Sequence, residues 1–164
     1  MLSESARMSS AAEARFRIEA PNSRPRAIKV IALDPASDPV VRRLTDGPWK
    51  NATFFTASKF TGSGGANGWL TDLSGHPRDL KGEVDGADLV VMVATPGGNA
   101  QAASVIGDAC SQKRVNTTAL IAGARAASDE ELSKTLKQVR PWSLMVVIAD
   151  AEDYIDDMLA ALRA

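Results

Sequence analysis

The amino-acid sequence predicts a three-layer α/β domain with a doubly wound, mainly parallel sheet, and two observations carry that expectation. Four apolar stretches, AIKVIAL at 27–33, ADLVVMVAT at 87–95, NTTALIAG at 116–123 and WSLMVVIA at 142–149, lack polar alternation and read as strands covered on both faces. Between them lie helix starts, stops and apolar stripes, and strands that alternate with helices join by right-handed crossovers into a parallel sheet. A chain of 164 residues with 45% hydrophobic and 24% charged residues suffices for one such core.

In chain order, residues 1–26 mix Arg, Glu, Ser and Ala and read as a mobile leader, with Ala11–Ile18 able to form a short helix only under a covering partner. Residues 27–164 form the single domain. Its first strand, 27–33, is interrupted only by Lys29, and a helix follows over 38–47, with Asp38 as N-cap, Pro39 at the first helical position and Gly47-Pro48 as the stop. ATFFTAS at 52–58 is the second strand and GWLTDL at 68–73 a weaker third that suits an edge; FTGSGGANG at 60–68 is a flexible connector, with a lid as the alternative reading.

The strands at 87–95, 116–123 and 142–149 are all expected to be buried. The helix over 99–114 is capped by Asn99 and places Ala102, Ala103, Ile106, Ala109 and Cys110 on one face, small enough to lie close to the sheet. SDEELSKTLKQVR carries a capping box, Ser128 with Glu131, and an apolar stripe of Leu132, Leu136 and Val139 that stops at Pro141. The last helix puts Tyr154, Ile155, Met158, Leu159 and Leu162 on one side and its acids early, at the positive end of the helix dipole. For the strand order 3-2-1-4-5-6, ligands bind where the order reverses, so LDPASDP at 33–39 and TPGGNA at 95–100 face each other.

Composition excludes several functions. Nineteen basic against twenty acidic side chains give a net charge of -1, so no overall field attracts nucleic acid. One cysteine, Cys110, rules out an internal disulfide and suits a reducing cytoplasm; no apolar run approaches a membrane span. His76 reads as a surface loop residue and Cys110 as an inert core residue rather than as catalysts. Asp34, Asp38 and Asp72 would suit Mg²⁺ if they converged, but read first as solvated loop acids.

Gly97 and Gly98 permit close approach to the chain, and amides from Gly98 to Gln101 at a helix start can point at an anion; the same Pro-Gly-Gly-Asn stretch also reads as a plain strand-to-helix corner. The segment GADLVVMVATPGGNAQAASVIGDAC resembles the part of the tubulin/FtsZ superfamily where a strand runs into a glycine-rich phosphate loop and a helix of small residues. IKVIALDPASDPVVRRL at 28–44 is similar to the first strand, nucleotide loop and helix of FtsZ, and LKQVRPWSLMVVIAD to a later helix and strand. The resemblance spans roughly residues 27–150 and implies a Rossmann-like nucleotide-binding domain.

The departures bear on activity. Where the family has glycines in the first loop, this chain has Leu33-Asp34-Pro35-Ala36-Ser37-Asp38, whose carboxylates would repel phosphates, and the second loop keeps only Gly97, Gly98 and Asn99. The family completes hydrolysis with acidic residues from a later loop, before which this chain ends at Ala164. The expectation is therefore an FtsZ-like domain without GTPase activity that acts through protein contacts, as a homo-oligomer. The alternative is a domain, and possible enzyme, that takes a nucleotide or another phosphorylated ligand. It would be bound between Thr95, Gly97, Gly98, Asn99 and Ala100 on one side and Asp34 and Ser37 on the other.

Overall fold

The computed structural model describes residues 25–62, 68–149 and 153–164. The leader reading and the centre of the 60–68 connector fall largely outside them. Among the described residues are strands β1 (Ile28–Ala32), β2 (Ala52–Thr56), β3 (Thr71–Asp72), β4 (Leu89–Ala94), β5 (Asn116–Ala122) and β6 (Met145–Ala149). The helices are α1 (Asp38–Leu44), α2 (Leu80–Asp85), α3 (Ala102–Lys113), α4 (Asp129–Val139) and α5 (Asp153–Ala161). The sheet order is β3-β2-β1-β4-β5-β6, parallel except for the antiparallel β2–β3 pair, so the doubly wound α/β fold is the observed one.

Strand pleating divides the core into two layers. Ile31, Val90, Met92, Ala119 and Ile121 meet Val84 of α2, Ala103, Ile106 and Cys110 of α3, and Val139 of α4. Ile28, Val30, Val91, Val93 and Leu120 meet Val41 and Leu44 of α1 and Ile155 and Leu159 of α5. Lys29 is tolerated in this central strand because its ammonium pairs with Glu83 at 3.1 Å and lies 5.8 Å from the Phe55 ring centre. No helix among the described residues is long and apolar enough to cross a membrane.

Several local expectations are corrected. Helix α2 has no counterpart in the sequence reading; six residues are too few for an apolar period, and its start is set by Asp79, whose carboxylate accepts from the Gly82 N–H at 3.2 Å. Helix α3 begins at Ala102, not at Asn99, because Asn99 Oδ1 accepts from the Gln101 N–H at 3.1 Å and closes a local turn instead. Tyr154 is exposed whereas Ile155 and Leu159 are buried, so the apolar side of α5 is narrower than its sequence stripe. The Ser128–Glu131 capping box is present as expected.

The largest correction concerns β6. Its composition reads as a doubly covered strand, yet it is the edge of the sheet: Leu144 is 75% exposed, Met145 51% and Ile148 46%. Position in the sheet, which periodicity does not encode, decides this.

Candidate functional site

The carboxyl ends of β1 and β4 bring the two expected loops into contact. After β1 the chain turns through Asp34 to Ser37: the Ser37 N–H donates to Asp34 Oδ1 at 2.8 Å, and Ser37 Oγ accepts from the Asp34 N–H at 3.2 Å and donates to the Asp34 carbonyl at 2.8 Å. Both side chains are fully buried. Across the crevice, Thr95 at the end of β4 donates its N–H to Asp34 Oδ2 and its hydroxyl to Oδ1, each at 2.9 Å. The Asp34 carboxylate thus accepts three hydrogen bonds, as a charged group removed from water must.

This carboxylate lies against the glycine-rich loop. A methyl group placed on Gly98 would stand 2.6 Å from Asp34 Oδ2, so glycine is required there by close approach. Gly97 has φ +80°, in the left-handed region that a turn demands. The loop amides are also engaged from within the protein. Gly97 N–H donates to Thr135 Oγ1 at 3.0 Å, Gly98 N–H to the Thr95 carbonyl at 3.1 Å, and Ala100 N–H to Gln138 Oε1 at 3.0 Å. Thr135 in turn donates to the Thr95 carbonyl at 3.2 Å, which ties α4 to the end of β4.

The sequence-expected residues therefore divide. Asp34, Ser37, Thr95 and Gly98 come together in one network; Gly97 and Ala100 turn their amides toward α4; Asn99 serves the following turn. Thr135 and Gln138 were missed by the sequence reading. The available signal was Thr135 itself, a polar residue inside the Leu132–Leu136–Val139 stripe and fully buried in the structure.

The three acidic residues considered for Mg²⁺ serve separate networks. Asp34 binds Thr95 and Ser37; Asp38 accepts from Thr56 Oγ1 and, at 3.1 Å, from Ser58 Oγ; Asp72 pairs with Arg78 at 3.2 Å near His76. No metal-binding cluster of His, Cys, Asp or Glu occurs among the described residues. Asp34 is not a solvated acid, since it is buried. Burial pushes the Cys110 thiol up to about 11, which keeps it protonated and a poor nucleophile. Comparison with protein-family models and with curated proteins gives no match.

Proposed function

We propose that this chain is a divergent tubulin/FtsZ-like domain of the cytoplasm that has lost phosphate binding and GTPase activity and works through protein contacts, as a homo-oligomer. The observation that carries the loss is the buried Asp34 carboxylate, bound by Thr95 and Ser37 and pressed against Gly98 in the crevice where such folds hold phosphate. A phosphate there would meet the buried Asp34 carboxylate, and of the amides that would receive it those of Gly98, Ala100 and Gln101 already serve Thr95, Gln138 and Asn99.

The test is a thermal-shift panel of GTP, ATP, NAD and inorganic phosphate on the full chain. A flat panel is the expected result. A ligand present at a hundred times its Kd would stabilise the fold by about 2.7 kcal/mol, which is readily seen. A saturable shift on the unmodified chain would support the alternative, a phosphate-binding site built on Gly97, Gly98 and Asn99.

A further inference from the structure

We infer that the β6 edge is the homodimer interface: two copies pair their β6 strands antiparallel about a twofold axis near Val147, joining two six-stranded sheets into one of twelve strands. This rests on the protein-contact reading above and names the contact and the partner.

Three observations favour a second copy. The first is that β6 has the sequence of a covered strand but is left half-open on both faces. Val146 and Val147 belong to opposite core layers, so by alternation Ile148 is exposed on the side of α4 and Met145 on the side of α5. Natural edges are blunted by charge, proline or a bulge, yet no charged residue occurs from Pro141 to Ala149 and the strand itself holds no proline.

Second, among the described residues the opposite edge offers only a short strand to pair with. β3 has two residues, and Thr71 already bridges to Pro77 on its own chain. Head-to-tail joining of β6 to β3 is therefore disfavoured, which leaves the isologous β6–β6 contact.

Third, α4 is self-complementary across such an axis. Asp129, Leu132, Leu136 and Arg140 share, at i, i+3, i+7 and i+11, the flank of α4 turned away from the crevice contact of Gln138, and with Ser133 and Lys137 they line a shallow depression of about 270 Å³. The axis keeps each face of the sheet on its own side and runs α4 antiparallel to its copy. Asp129 then faces Arg140 of the second copy, with Leu132 and Leu136 between them.

The test is sedimentation equilibrium on the full chain, with circular dichroism to confirm folding. The unmodified chain is expected at twice the monomer mass. Met145→Lys and Ile148→Lys, both at exposed positions, should stay folded and weaken the dimer by about tenfold or more, since each puts a charge on the edge. Asp129→Arg and Arg140→Asp should each weaken it, and the two together should restore it. Val147→Cys should form an intermolecular disulfide on mild oxidation, because antiparallel partners bring Cα atoms within about 5.5 Å; the buried Cys110 does not compete. A folded monomer at high concentration overturns the inference, and one that dimerises only after removal of residues 1–24 assigns the edge to that segment instead. A dimer indifferent to all these substitutions overturns it as well. A monomer with a flat ligand panel leaves the loss of phosphate binding standing, whereas a phosphate-dependent shift removes that reading whatever the mass.

Discussion

The crevice between β1 and β4 and the outer edge of β6 are opposites. At the crevice, where a doubly wound sheet offers its customary binding site, the buried acceptor and the Gly97, Gly98 and Ala100 amides meet partners within the chain: Asp34 with Thr95 and Ser37, Gly97 with Thr135, Ala100 with Gln138. At the edge, where apolar composition calls for burial, Leu144, Met145 and Ile148 stand exposed. The difference teaches that the place a fold reserves for ligands and the place a sequence leaves unsatisfied are separable. On the reading proposed above, the second is the guide to interaction in this chain.

The comparison breaks most sharply at Asp34. Asp34→Ala deletes the common acceptor and strands the buried Ser37 N–H and the half-buried Thr95 N–H, so urea unfolding should report a loss of about 3 kcal/mol. A loss below about 1 kcal/mol would mean that the crevice is wet and its network dispensable. Next come the glycines. Gly98→Ala must displace Asp34 or the loop and should cost about 2 kcal/mol, whereas Gly97→Ala, with φ +80° and only a 3.3 Å contact to Glu131 Cγ, should cost about 1 kcal/mol. Both losses should be independent of added phosphate; an unchanged melting temperature in either variant would show that the loop is held for a ligand rather than for the fold.

At the edge the expected stability effect is smaller. Ile148→Ser, measured in the Met145→Lys background at a concentration where that variant is monomeric, should change unfolding free energy by about 0.5 kcal/mol or less, since the side chain is already 46% exposed. A cost as large as that of Gly98→Ala would place Ile148 in a core and remove the contrast. The smallest effect concerns Asp72 on the β3 edge. The His76 N–H, with Arg78 and the Ser74 N–H, holds its carboxyl below the usual 3.8. Because the folded value is the lower one, the stabilisation is present above 3.8 and is lost as pH falls through the folded value. A plot of melting temperature against pH should therefore show a slightly shallower acid limb in Asp72→Asn, and identical limbs would show that the turn is indifferent to that charge.

By itself the sequence determined the layers and the strand succession. Apolar runs at 27–33, 87–95 and 116–123 can be stable only between two layers of helices, and the intervening helix starts place helices where those layers need them: the Ser128–Glu131 box as expected, and Pro39 in the first turn of α1, whose N-cap is Ser37 rather than Asp38 and whose end is Leu44 rather than 47. It also placed the 33–39 segment opposite the 95–100 segment, because strand order reverses between β1 and β4. What Asp34 does there was decided only in three dimensions. A loop aspartate is solvated by default, and it became a buried staple because Thr95, sixty-one residues away, supplies two donors. Thr135 and Gln138 belong to the same class, since their contacts with the Gly97 and Ala100 amides span thirty-eight residues and leave no local pattern. The exposure of β6 was likewise tertiary: hydrophobicity records that a strand is to be covered, while the strand order alone decides whether the chain has anything left to cover it with.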